Sequence, residues 1–426
     1  MIQRLSALCG LFVVIAALMG CAEKSEVPEG KTEIKFLTMQ LRPTFDEFFF
    51  QLIDEYEREN PDIHITWVDF PYDGYNMKLM TSFMSDQAPD VINFSSEDVK
   101  MFIDAGYVEP LDEHLGEEKL EIYVDSIMEG AAVFDGQTYL LPWYASSVVN
   151  FANMELVREA GLTEEDVPIH NEDLEEFCRI IKERTGKWGV YPLYTEHATM
   201  KTHLLEGNVP LFNKDYTEAV FNTPQGRRVF SFWIDLYKDG LVPRSALTVT
   251  HRNPLELYKT GELALLTTGP QFSRKIKGDA PTVFENTKVY PQTTWREYGA
   301  VHFVALHMMG VSSLSDHKSE AAAFAHFVTN ARNQLAFAKE VTIIPSTVES
   351  LKDPYFTESD GSIEGNARVI SAAQTLIGKV FRPPEEARKL YSIMETATEE
   401  AALGETPPDE AIEYAEKQWN EILARQ

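Results

Sequence analysis

From residue 33 onward the chain alternates short apolar stretches with amphipathic ones, and the two periods separate strands from helices. The segment "EIKFL" (33–37) reads as a first strand. In "PTFDEFFFQLIDEYEREN", Phe45, Phe48, Phe49, Leu52, Ile53 and Tyr56 fall at helical spacing and form one apolar stripe. Thr44 and Glu47 offer a capping box at its start, and Asn60-Pro61 a stop. "IHITWV" alternates instead, with Ile63, Ile65 and Trp67 on one face, as a half-buried strand does. A helix over 75–84 and a third strand in "PDVINFSS" follow. The order β-α-β-α-β predicts a parallel sheet covered by helices.

A second series has the same character. It holds a helix over 172–185, a strand near "WGVYPLY", and a helix opened by Thr223-Pro224 with Val229, Phe230, Trp233 and Tyr237 on one side. "GELALLTTGP" gives another strand, "YGAVHFVALHMMGVSS" is extended, and "HKSEAAAFAHFVTNARNQLAFAKE" is a helix pair. The remainder is mostly helical. The fold class is therefore α/β, in two units with little Gly/Ser-rich linker between them.

The first twenty residues follow neither period. Arg4 is the only charge before Glu23, and 5–19 is almost wholly apolar. That is shorter than the roughly 20 residues a bilayer core demands and fits a signal-peptide layout. Leu18, Met19, Gly20 and Cys21 resemble the lipobox of bacterial lipoproteins. The resemblance implies cleavage before Cys21, lipidation (palmitate among the acyl chains) at Cys21, and a polar tether over 21–31. Cys9 then leaves with the signal, so Cys178 stands alone and no intramolecular disulfide is expected. With Leu174, Phe177 and Ile181 on its side of a helix, Cys178 reads as a small buried hydrophobe. The expected location is extracytoplasmic, lipid-anchored to the cell membrane.

Charge removes some functions. The 426 residues carry 67 acidic against 38 basic side chains, a net charge of −29, which repels phosphate backbones and argues against nucleic acid as a partner. There is no G-x-x-x-x-G-K-[ST] loop, no G-x-G-x-x-G opening a helix, no H-E-x-x-H and no C-x-x-C. His197 and His203 in "EHATMKTH" lack i, i+4 spacing, so neither a metal nor a cofactor is expected. Acidic residues are too numerous for counting to dismiss a glycosidase pair.

The order of segments resembles the extracellular solute-binding proteins of ABC importers, in the sugar-binding group that includes maltose-binding protein. The matching stretches are "APDVINFSSEDVKMFIDAGYVEPLDEHL", "FDGQTYLLPWYASSVVNFANMELVREAGL", "FNTPQGRRVFSFWIDLYKDGLVP", "YKTGELALLTTGPQF" and "KSEAAAFAHFVTNARNQLAFAKEVTIIPS". The resemblance implies two lobes, each a mainly parallel sheet flanked by helices, with a ligand cleft between them. Residues 31–141 plus 299–330 are expected in the N-terminal lobe, and 144–296 plus 333–426 in the C-terminal lobe. Open parallel sheets bind at their carboxyl ends, and domain interfaces favour pockets, which puts the site in the same place.

A sugar offers apolar ring faces and a rim of hydroxyls, so its site needs aromatic plates, amides and carboxylates. Trp143, Tyr144 and Ser146 lie in the expected first crossover, with Trp143 a candidate stacking plate. Phe94 and Glu97 follow the third strand, and Gln40 and Arg42 the first. Gln271 stands after Gly-Pro where the family often has tryptophan. Glu196, Trp295 and His302 complete the candidates. The implied function is capture of a mono- or oligosaccharide by hinge closure and delivery to the permease subunits of an ABC transporter, by a monomeric, non-enzymatic lipoprotein. The alternatives are the same fold binding a polyamine, a phosphorylated polyol or a metal, and a surface-anchored glycan hydrolase.

Overall fold

The structure, a computed structural model, describes residues 27–194, 199–248, 252–384 and 386–425. The signal segment, Cys21 and most of the tether lie outside the described residues. The main strands are β1 (Thr32–Met39), β2 (Ile63–Phe70), β3 (Val91–Ser95), β4 (Leu140–Ser146), β5 (Val149–Asn153), β6 (Leu265–Thr268), β7 (Thr287–Pro291), β8 (Ala305–Val311) and β9 (Ile344–Pro345). They form a six-stranded sheet in the order β9-β4-β8-β3-β1-β2 and a three-stranded sheet in the order β6-β5-β7.

The first β-α-β-α-β run folds as its periodicity predicts. β1 pairs parallel with β2 and with β3, placing Phe36 beside Trp67 on one edge and Val91 on the other. Ile63, Ile65 and Trp67 are buried. Between β1 and β2, α1 (Asp46–Glu59) buries Phe49, Leu52, Ile53 and Tyr56, and Asn60 ends it by bonding back to the Tyr56 carbonyl. Its start departs from expectation. Phe45 is the N-cap and no side chain caps the helix, so the Thr44–Glu47 box does not form; Asp46 and Glu47 instead place negative charge on the first turn, where the helix dipole favours it. α2 (Tyr75–Met84) and α3 (Val99–Asp104) flank β3.

Strands that cross between lobes run against their neighbours. β8 is antiparallel to β3 and β4, and β5 is antiparallel to β6 and β7. The reason is connectivity: β4 continues into β5 with only two residues between, so one extended stretch serves both sheets. Parallel pairing in the second sheet is confined to bridges such as Trp188–Leu263.

Each sheet owns a core. The first gathers Phe36, Phe49, Phe94, Trp143, Met308 and Phe324. The second gathers Phe151, Cys178, Tyr194, Phe230, Trp233 and Trp419. Cys178 is the buried hydrophobe expected, and burial pushes its thiol up to about 12. α4 (Leu174–Thr185), α5 (Thr199–Glu206) and α6 (Pro224–Lys238) belong to the second lobe. α7 (Lys318–Thr329) and α8 (Ala331–Val341) cover the first sheet. The last boundary falls later than the sequence suggests. Phe337, Ile344 and Phe356 pack in the first core, so the chain returns to the second lobe through α9 (Ile363–Leu376), which puts Ala372 in one core and Ala367 in the other. α10 (Ala387–Leu403) and α11 (Pro408–Leu423) then close the second core.

Candidate functional site

The first lobe presents the carboxyl ends of β1, β2 and β3 toward the crossing strands. Gln40, directly after β1, has a left-handed φ of 54°, and its side-chain oxygen accepts from the Tyr72 backbone N–H at 3.2 Å. It ties the exposed ends of β1 and β2 together. On β8, His307 pairs with Ser95 of β3 on one side and Tyr144 of β4 on the other. The rings of Tyr144 and His307 stack at 4.8 Å, 20° from parallel. Burial raises the Tyr144 phenol well above its usual range and lowers the His307 imidazole to about 4. Ser146 ends β4, half-buried. Glu97 is exposed on the turn before α3. His307 itself escaped the sequence reading, because nothing near it in the chain marks it.

Four candidates leave the site. Trp143 is only 1% exposed; its indole stacks on Phe337 and meets Phe49 edge-on, so it is a core ring and not a sugar plate. Phe94 is buried against Phe102. Arg42, in the turn before α1, folds onto the start of that helix, donating from Nε and Nη2 to the Asp46 carboxylate at 2.9 and 3.1 Å and lying over Trp67. Trp295 is buried between Phe232 and Tyr298.

A polar chain runs from His302 toward α5. His302 Nδ1 lies 3.3 Å from Gln292 Oε1, and Gln292 Nε2 donates to Glu206 Oε1 at 2.6 Å. With the amide oxygen toward the ring, Nδ1 is the protonated nitrogen of His302, whose burial lowers its pKa against the opposing pull of Glu206. Glu206 Oε2 lies 3.6 Å from His203 Nδ1, and the His203 ring stacks on Trp233 at 4.1 Å. Gln271 is half-buried after Gly269-Pro270, and its Oε1 has no partner among the described residues. Glu196 lies outside the described residues.

Two cavities bear on the site. The larger, about 570 Å³, bridges the lobes: Glu97, Asp98, Lys100 and Met101 line it from the first, and Arg388, Tyr391 and Glu395 from α10. Arg388 reaches across to within 3.6 Å of the Met101 sulfur. Buried Lys201, on α5, sits 4.5 Å from the Tyr391 ring. Burial lowers its pKa while Glu97, Glu395 and Asp98 pull the other way. The smaller cavity, about 200 Å³, lies wholly in the second lobe. Thr199, Thr202, His203 and Glu206 line it from the opposite face of α5, at i, i+3, i+4 and i+7. Among the described residues no group of three or more His, Cys, Asp or Glu side chains is placed to hold a metal ion.

The arrangement can grip a polar solute between two lobes, and comparison with known proteins agrees. The family described as "Bacterial extracellular solute-binding protein" matches residues 42–335. The maltotriose-binding protein of Pyrococcus abyssi is 22% identical over 82% of this chain and 74% of its own. A periplasmic-binding protein of Synechococcus sp. MITs9220 is 30% identical, superposes with a TM-score of 0.83, and is matched over 92% of this chain and 99% of its own. The cyclic α-maltosyl-1,6-maltose binding protein of Arthrobacter globiformis, 21% identical over 93% and 100% of the two chains, shares the two-lobed fold at a TM-score of 0.79.

Proposed function

The chain belongs to the bacterial extracellular solute-binding proteins, and on that premise we propose that it captures a mono- or oligosaccharide between its lobes and hands it to the permease of an ABC importer. The observation that carries the reading is the cavity shared by Glu97 on one lobe and Tyr391 and Glu395 on the other. A solute seated there touches both lobes at once and stabilises their closed arrangement by contacts the open one lacks. The sugar specificities of the Pyrococcus and Arthrobacter relatives favour carbohydrate. Tyr144, Ser146, Glu97, Gln40, Gln271, His302 and Glu196 are the contacts we propose. The protein binds without turning its sugar over, as a monomer held to the outer face of the cell membrane by lipid on Cys21.

The test is a thermal-shift screen of the soluble form, starting after Cys21, against neutral saccharides. Saturation at 100-fold over Kd adds about 2.7 kcal/mol of stability. A panel that leaves the melting temperature unmoved would sink the carbohydrate reading, and catalytic loss of a bound sugar would make the protein a hydrolase.

A further inference from the structure

We propose that the 200 Å³ cavity of the second lobe seats one uncharged pyranose ring of the ligand and reads its hydroxyls through Asn171 and Trp233, an assignment that rests on the carbohydrate reading above. Neither residue stands out in the sequence as a ligand contact: Trp233 belongs to an apolar helical stripe, and Asn171 lies in an unremarkable turn.

The argument begins with polar atoms that lack partners. Asn171 is 2% exposed, and its Oδ1 has no hydrogen-bond partner among the described residues, although its backbone N–H bonds the Thr294 carbonyl at 2.9 Å. Trp233 is 7% exposed and its Nε1 is likewise unpaired. Neither ring nitrogen of His203 has a hydrogen bond among the described residues. Buried polar groups in folded proteins are almost always satisfied. Here an unpaired acceptor, an unpaired obligate donor and an imidazole with no hydrogen bond among the described residues line the same cavity. A hydroxyl both donates and accepts, so a ring bearing several hydroxyls can serve all three.

Size and charge narrow the guest. At about 30 Å³ per water the space equals roughly half a dozen waters, the scale of one sugar ring and too small for a chain. Among the described residues that line it there is no Lys or Arg, and Glu206 contributes a carboxylate. A sugar phosphate or a uronate meets like charge there with no cation to offset it. Trp233 does not act as a plate, because His203 covers one face at 4.1 Å and Phe232 meets it edge-on. Its N–H is the functional part.

The location fits a ligand held between lobes. Val148, between crossing strands β4 and β5, lines the cavity together with Thr267 of β6 and Gln292 directly after β7. These positions lie at the end of the second sheet where the chain enters from the first lobe.

The experiment uses the full chain, with D-glucose, D-galactose, maltose and maltotriose as neutral probes and D-glucose 6-phosphate as the charged one. Asn171→Leu keeps the shape and Trp233→Phe the aromatic face, and each removes the unpaired atom. Each is expected to weaken the tightest neutral probe about tenfold or more in Kd; Asn171→Leu should leave the unliganded melting temperature unchanged or higher, since its side-chain oxygen makes no internal bond, whereas Trp233→Phe should lower it through the packing lost against His203 and Phe232. D-glucose 6-phosphate should bind more weakly than D-glucose. In ¹⁵N-tryptophan-labelled protein the indole N–H signal missing from Trp233→Phe should shift on adding that probe. A neutral probe that binds both variants as tightly as the wild type and leaves this signal in place overturns the subsite while the carbohydrate reading stands. Failure of all neutral probes to bind the wild type overturns both.

Discussion

The indole of Trp143 and the ring of Phe337 lie face to face, with centroids 5.1 Å apart and planes 10° from parallel. The pair locks crossing strand β4 to α8, and Phe45 and Phe48 of the first lobe crowd the same phenyl ring at 5.6 and 5.2 Å. Trp143→Ala should therefore lower stability by about 3–5 kcal/mol, as core tryptophan truncations do. Phe337→Ala should cost a similar amount, with a coupling of about 0.5–1.5 kcal/mol in the double-mutant cycle. Denaturant titration of the four proteins measures it. Unchanged stability with lost sugar binding would return Trp143 to the cleft wall.

His307 makes stability depend on acidity. Its folded value of about 4 lies below the ordinary 6.5, so between these values the unfolded chain holds a proton that the folded chain refuses. Its contribution is complete above pH 6.5 and is lost as pH falls toward 4. At about 1.4 kcal/mol per pH unit, the wild type should lose about 2–3 kcal/mol more than His307→Gln between pH 7.5 and 4.5. Parallel pH profiles for the two proteins would refute this.

Arg382 fastens the segment before α10 to the first lobe. Its guanidinium donates to the Glu129 and Val133 carbonyls at 2.8 and 2.5 Å and lies 4.7 Å over the Phe134 ring. Arg382→Ala should cost about 1–3 kcal/mol, and Arg382→Lys should recover less than half, since an ammonium lacks the planar fork. Urea unfolding of both variants decides it; full rescue by lysine would show that charge alone matters.

Cys21→Ser should release the protein from the membrane fraction. No helix among the described residues is long and apolar enough to cross a membrane. Retention of the variant after a high-salt wash would show that something other than lipid holds it.

Periodicity made the framework legible wherever an element meets its core along one regular face. The α1 stripe and the Ile63, Ile65, Trp67 alternation both read correctly, because burial there follows from spacing alone. The start of α1 did not, since Thr44 is exposed and the helix begins two residues beyond it. The site was less legible. "PWY" looks like an aromatic platform, but which of its rings faces solvent depends on Phe337, far along the chain. Tyr144 stays half-buried beside His307 while Trp143 is covered. Asn171 and Trp233 become conspicuous only once their missing partners are seen, and no local pattern records an absent hydrogen bond.

The strand order of the larger sheet also bears on how the chain is made. β1, β2 and β3 emerge first, yet the open edge of β3 finds its neighbour only in β8, and β4 waits for both β8 and β9. Until residues 305–345 have left the ribosome or crossed the export channel, the nascent protein carries an unpaired, apolar sheet edge of the kind that recruits other chains. The first sheet can therefore be completed only once residue 345 of the 426 is available. A chain lacking residues 305–345 would leave that edge of β3 without its partner.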